Sequence, residues 1–326
     1  MSDLDQEKVE ETLKLFNPLY DDLNMLGTFS ERKPLLAHYT SVQNLESILR
    51  HRQLWFSNPL LMNDRSELTF GMNSGMPLFL DSEEIKEACG TEHRLERVRE
   101  ALQHFFKYYD GQHVLDTYVT CFSEHESDDH DGLLSMWRAY GANGNGVALV
   151  FDTSKIPPLE EFPIVLAPVV YLLPGERDAH LRSYIKAVAD ILRTHAIADE
   201  YVYLIAHAYF ERLKLFSLFT KHHGFKEERE WRAVYMPERD KMSVFGKMID
   251  YHIGARGVEP KLKVNFDELT QHFGEEFTLN KIIHQILIGP TIAGGIQRGS
   301  MLKLLSKLDY PDLVERCVYS DIPFRG

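Results

Sequence analysis

Apolar residues recur along this chain with two alternating periods, and the elements they predict come in no strict order. Val9, Leu13 and Phe16 fall on one stripe of a helix over 3–16, with the acidic residues elsewhere. A strand over 35–39 (Leu-Leu-Ala-His-Tyr) runs into Thr40, and Gln43 three positions on completes a capping-box pattern. The helix so opened buries Val42, Leu45, Ile48 and Leu49 and ends near Arg52. Leu54-Trp55-Phe56-Ser57 is a short strand stopped by Asn58-Pro59. Asn63-Asp64 is the expected cap of a helix from Ser66 through Met72. Residues 82–109 predict a helix charged on one side, Thr117 to Phe122 a strand, and 123–131 a polar loop. A short helix from Leu133 to Tyr140 closes at Gly141, and a Gly/Asn-rich turn leads to a strand from Val147 to Phe151. A second strand follows at 164–171, then long helices at about 177–196 and 200–220. Strand patterns return at 230–236, 248–253, 261–266, 282–288 and 314–319, with a helix at 295–307.

Strands and helices mixed without regular alternation predict an α+β fold rather than a doubly wound sheet. No repeat and no Gly/Ser tether divides the 326 residues, so one domain over 1–326 is expected. Its parts are an N-terminal helical extension (1–30), a first half of the core (35–176), a helical insertion (177–223) and a second half (224–326). The charge balance of 36 basic against 49 acidic residues leaves a net −13, which disfavours broad binding to phosphate backbones. A local basic cleft remains compatible with one nucleotide or one RNA end. Cys89, Cys121 and Cys317 have no motif spacing and read as thiols of a reducing compartment. With an acidic N-terminus and no apolar run long enough to span a bilayer, the expected location is the cytoplasm, without a membrane partner.

Chemistry concentrates in Glu228-Arg229-Glu230-Trp231-Arg232. Residues two apart on a strand share a face, so Glu228 and Glu230 are expected side by side, held ionised by Arg229 and Arg232. A surface salt-bridge ladder is the plainer alternative. His38-Tyr39-Thr40 stands at a strand-to-helix junction, where ligand groups gather, although a core histidine bonded to a carbonyl fits as well. Trp137, Arg138 and Tyr140 fit either a buried helix face or a ligand wall. The loop His125-Glu126-Ser127-Asp128-Asp129-His130-Asp131 has metal-ligand residue types but no recognised spacing, so no metal is assigned. No phosphate-binding loop, nucleophile elbow or dinucleotide fingerprint occurs.

Several of these pieces stand in a familiar order. His38-Tyr39-Thr40…Asn44-Leu45…Ile48-Leu49, Leu54-Trp55-Phe56-Ser57-Asn58-Pro59 and Met62-Asn63-Asp64…Ser66-Glu67-Leu68 come first. Cys121-Phe122-Ser123, Ser135-x-Trp137-Arg138-x-Tyr140-Gly141 and Gly146-Val147-Ala148 follow. Phe225-x-x-Glu228-x-Glu230-Trp231-Arg232, Ile288-Gly289-Pro290 and Ser320-x-Ile322-Pro323-Phe324-Arg325 close the series. Over residues 35–325 this resembles the bacterial family called domain of unknown function 2971. More distantly, the order of His-Tyr-Thr strand, Phe-Ser strand and Glu-x-Glu strand is similar to ADP-ribosyltransferases, whose fold implies a mixed or antiparallel sheet core. That likeness implies NAD as substrate, with Glu230 as the catalytic glutamate, Glu228 upstream of it and His38 on the first strand. Ser123 matches the middle motif best, with Ser57 as competitor. The sequence has no Ser-Thr-Ser triplet, and the 177–220 helices intervene before the last motif.

The implied chemistry is cleavage of the nicotinamide–ribose bond through an oxocarbenium-like centre, stabilised by Glu230, with Glu228 or a neighbour deprotonating the acceptor. His38 and Ser123 would orient the ribose hydroxyls, and Tyr39, Trp55 or Trp137 would stack on nicotinamide. Arg138 or Arg232 would meet the pyrophosphate, with Thr40, Tyr140 and Trp231 completing the nucleotide pocket. Three readings follow. One is an NAD-dependent ADP-ribosyltransferase or glycohydrolase, which the toxin-type analogy sets in bacterial defence. The others are a metal-dependent hydrolase or nuclease using Glu228, Glu230 and the 125–131 loop, and a non-catalytic nucleotide-binding module. The expected ligand is a small nucleotide. A protein or a nucleic-acid end would serve as acceptor, and neither acceptor nor oligomeric state is written in the sequence.

Overall fold

A computed structural model describes residues 5–21, 29–61, 65–109, 116–157, 163–254, 257–291 and 295–324, with backbone alone at 29–30 and 65–69. The expected cap at Asn63-Asp64 lies outside these residues, as do Met62 and Arg325. The chain divides into two compact units. One gathers Met1–Thr28, Pro59–Thr117 and Val170–Gly224; the other gathers Phe29–Asn58, Tyr118–Val169 and Phe225–Gly326. The helical segment expected as an insertion over 177–223 thus belongs with helices drawn from 59–117.

The first unit is helical. Helix Tyr203–Phe219 is buried on nearly every side, as an element apolar all round requires. Helix Arg65–Leu80 reaches it closely because glycines occupy the contact: a Cβ at Gly75 would lie 2.3 Å from Leu213 Cδ1. Helices Glu83–Cys89, Glu92–Tyr108 and Pro174–Thr194 complete the bundle. The predicted single helix over 82–109 is interrupted at Gly90, whose left-handed φ of 74° ends the first helix before Thr91 caps the next. A short parallel pair, Val170–Leu172 with Thr220–His222, lies within this unit.

The second unit carries the main sheet. Its strands, named in chain order with the short pair as β6 and β7, are β1 (Leu35–Ser41), β2 (Gln53–Ser57), β3 (Tyr118–His125), β4 (Gly146–Asp152) and β5 (Ile164–Pro168). They continue with β8 (Glu230–Tyr235), β9 (Ile249–Gly254), β10 (Gly257–Asn265), β11 (Ile283–Ile288) and β12 (Cys317–Tyr319). The order runs β12-β11-β4-β1-β3-β2-β10-β9, with β8 also beside β3 and β5 beside β8. Among the described residues every pairing in this sheet is antiparallel except β11 with β12. The α+β class and a mixed, mostly antiparallel sheet are therefore as expected.

Strand alternation divides the side chains between two faces. The front face carries Leu36, Leu149, Phe122, Trp231 and Leu262 into the large core. Helix Val42–His51 covers it with Leu45, Ile48 and Leu49, and helix Gly295–Lys307 with Met301 and Leu305. The back face carries Ala37, Tyr39, Ala148, Val150 and Leu287 against Met136 and Trp137 of the short helix Leu134–Ala139. The cap of helix Val42–His51 is Ser41, one residue later than expected: its Oγ accepts from Asn44 N at 3.1 Å, while Thr40 stays in the strand.

Where β4 begins and β11 ends, backbone approaches backbone. A Cβ on Gly289 would stand 2.3 Å from Gly144 O and 2.8 Å from Gly146 O, neither of which has a flexible end to move. Gly289→Ala is expected to cost about 3 kcal/mol, the upper end for overpacking. A urea midpoint equal to that of the wild type would refute this close approach.

Candidate functional site

The register decides which expected residues meet. Ala37 pairs with Ser123, and Ser123 with Glu230, so these three share the back face. His38 is the next residue on β1 and points to the front, where its ring meets Phe122 edge-on at 5.8 Å. His38 and Glu230 therefore stand on opposite faces of the sheet and do not line one pocket. The imidazole has a structural partner instead. β1 leaves β3 after Ala37, and His38 Nδ1 takes up the Cys121 carbonyl at 3.0 Å, donating to it and leaving Nε2 as the bare nitrogen. Burial pushes the His38 pKa below its ordinary value, and the Cys121 carbonyl opposes that shift less strongly. A histidine lowered in the fold supports stability fully above its unfolded pKa of about 6.5 and loses that support as pH falls through the folded value. His38→Asn keeps a donor near Cys121 O and is expected to lose less stability than the wild type between pH 7 and pH 5. Equal losses in urea titrations at the two pH values would remove His38 as a source of acid sensitivity.

Glu230 and Arg232 form a sealed pair. Arg232 Nε donates to Glu230 Oε1 at 2.8 Å and Nη2 to Oε2 at 3.2 Å, with each residue about 5–6% exposed. The Glu-x-Glu expectation needs correction here. β8 starts at Glu230, Glu228 ends a short 3-10 segment (His223–Glu228), and Arg229 between them has φ 48°. That left-handed turn breaks the alternation that would have aligned the two carboxylates. Glu228 is half-buried, and its Oε1 accepts from Tyr140 OH at 3.4 Å. Ser123 Oγ donates to the Glu228 backbone carbonyl. Arg138, two residues before Tyr140, is exposed and lies 5.6 Å over the Phe324 ring. Ser123, Tyr140 and Glu228 thus gather at one end of the back face, while Arg138 turns to Phe324.

Other expected ligand groups are occupied in the core. Trp137 is fully buried, donates through Nε1 to Asp131 O at 2.8 Å and packs edge-on against Tyr39 at 4.8 Å. Tyr39 OH accepts from Leu133 N at 2.9 Å, and burial raises the phenol to about 12. Neither ring offers a face to nicotinamide. Trp231 is buried in the front face, with Nε1 on Glu124 Oε2 at 2.8 Å and Arg32 over its ring at 5.3 Å. Thr40 Oγ1 accepts from Asn44 Nδ2 at 2.8 Å. Ser57 pairs with Val119, four positions along β3 from Ser123, or roughly 13 Å away at the strand rise. It belongs to a group the motif reading missed: Lys261 Nζ donates to Ser57 Oγ at 2.9 Å and pairs with Glu259 at 3.0 Å, both charges buried. Glu259, Lys261 and Lys263 alternate on β10, and that spacing was the available signal. Trp55, on the same strand as Ser57, lies beneath Lys263 Nζ at 4.8 Å and beside His252 at 5.3 Å.

The carboxylates of the acidic loop hold backbone and hydroxyl groups. Asp129 Oδ1 accepts from the N–H groups of Asp131 and Gly132, both at 2.9 Å. Asp131 Oδ1 holds Asp321 N at 2.6 Å and Ser320 Oγ at 3.3 Å. His125 is buried with Nε2 accepting from Gln285 Nε2 at 3.0 Å, and burial lowers its pKa. Among the described residues no group of three His, Cys, Asp or Glu side chains could hold a metal. No described helix is long and apolar enough to cross a membrane.

No curated protein and no solved structure matches the chain. A family model described as "Protein of unknown function (DUF2971)" matches residues 136–233. That stretch contains Trp137, Arg138, Tyr140, Glu228, Glu230 and Arg232, and the match supports the DUF2971 family.

Proposed function

We propose that this chain cleaves the nicotinamide–ribose bond of NAD, as an ADP-ribosyltransferase or an NAD glycohydrolase, with Glu228 as the acting carboxylate. The observation that carries the reading is the left-handed Arg229, which turns Glu228 out of the strand to stand half-buried beside Tyr140. A non-glycine residue held in that conformation stores backbone strain, and such strain clusters at working sites. A carboxylate there stabilises positive charge developing on the ribose, aided by a surrounding drier than bulk water. Tyr140 OH orients it, Ser123 fixes its backbone, and the exposed Arg138 offers a fork to pyrophosphate oxygens. Glu230, neutralised by Arg232, anchors the strand beneath them. His38, Tyr39, Trp137 and Trp231 support the sheet and are not assigned to the pocket. The resemblance to ADP-ribosyltransferases rests on motif order, and the acceptor is a protein, a nucleic-acid end or water.

Incubation with NAD, following nicotinamide by chromatography, tests the reading. The wild type is expected to release nicotinamide, and the Glu228→Gln protein is not. The second reading, a nucleotide-binding module without turnover, is favoured by the burial of the Glu230–Arg232 pair away from any reacting centre. It predicts that ADP-ribose binds in calorimetry while NAD stays intact. If neither release nor binding occurs, both readings fail.

A further inference from the structure

The front face holds a feature that the proposed chemistry does not use. A cavity of about 80 Å³ lies within the second unit between the sheet and helix Phe266–Phe273. Its walls include Leu36, Phe56, Phe122, Leu166, Ala233 and Leu269. One small side chain makes the room. On β8, Trp231 and Tyr235 fill the front face on either side of Ala233, and the Ala233 methyl leaves the space between them open. Close-packed interiors hold few spaces larger than a water molecule, and this one, partly open to solvent, is reachable by a guest.

The cavity offers water little to bond. Its two polar wall residues are engaged elsewhere: Thr153 Oγ1 donates to Pro34 O at 2.5 Å, and Asp152 Oδ1 accepts from Ser154 N at 2.9 Å and Ser154 Oγ at 2.6 Å. A water needs two or more partners to stay, and an apolar void without them remains dry and takes up apolar guests instead. We propose that this cavity is a binding site for a short, uncharged aliphatic group of about four carbons. The size follows from its volume, roughly half that of a cavity that takes up benzene. The chemical class follows from its walls, which match neither a charge nor a hydrogen-bonding group. The site lies on the face of the sheet opposite Ser123 and Glu230, so it stands or falls independently of any NAD chemistry.

The test uses the full chain, with xenon and n-butane as probes and methyl resonances as the readout. Both probes are expected to shift the methyls of Leu36, Leu166 and Leu269 saturably, with a Kd for butane between roughly 0.1 and 1 mM, inside the ceiling for so few atoms. Ala233→Leu fills the void from the sheet and Leu269→Phe from the helix. Either variant that folds is expected to abolish the shifts. A response to xenon without one to butane would mean a packing void only and would overturn the proposal. So would silence with both probes, or shifts that persist in the filled variants.

Discussion

Arg232→Ala is expected to cost about 3–5 kcal/mol of stability, because it removes the two-pronged partner of a carboxylate that is only 5% exposed. Taking a charge out of water is expensive, and in the fold Arg232 offsets that expense with two charge-assisted bonds. With the guanidinium gone, Glu230 keeps its desolvation and loses both of these bonds. The reverse change, Glu230→Gln, should also destabilise, though less, since an amide can still accept from Arg232. Arg232→Met combined with Glu230→Leu is the decisive comparison. Removing both charges is expected to cost less than the two single changes added together. Urea unfolding of the four proteins measures this, and a loss below about 1 kcal/mol for Arg232→Ala would show that the pair is effectively solvated.

The second large effect separates the two carboxylates of the motif. If Glu228 stabilises the developing charge, Glu228→Gln should lower kcat for nicotinamide release roughly 10²–10³-fold, with the melting temperature almost unchanged. Glu230→Gln should do the opposite, lowering the melting temperature and leaving kcat within a few-fold wherever the protein is folded. Tyr140→Phe, which removes only the hydroxyl on Glu228, should fall between wild type and Glu228→Gln in kcat. Were Glu230→Gln the inactive variant at full stability, the assignment of the acid would pass from position 228 to position 230.

Much of the fold was legible where one face is apolar. β4 buries Val147 through Phe151 and β11 buries Ile286 through Ile288, and the expected boundaries fell within a residue or so. The pattern failed where the back face buries polar groups. Ser123 is 1% exposed, so the polar stretch from Ser123 to His125, read as loop, continues β3 by three residues. β10 begins at Gly257 rather than at 261, since Glu259, buried beside Lys261, looks like a solvated charge in the sequence. At the candidate site, the sequence misread the geometry of the Glu228–Arg232 run. Period-two reasoning aligns Glu228 with Glu230 only if Arg229 is extended, and no local signal marks an arginine for the left-handed region. The position of His38 depended on which strands pair with β1, which local periodicity does not encode.

The pairing of β2 with β10 has a consequence for how the chain is made. Ser57 and its partner Lys261 are 204 residues apart. At translation rates of about 5–20 residues per second, the ribosome delivers that partner roughly 10–40 s after β2 has emerged. Throughout that interval Leu54 and Phe56 lack the strand that completes their side of the sheet. Synthesis slowed before residue 261 should therefore lengthen the window for aggregation more than slowing of the same size after it.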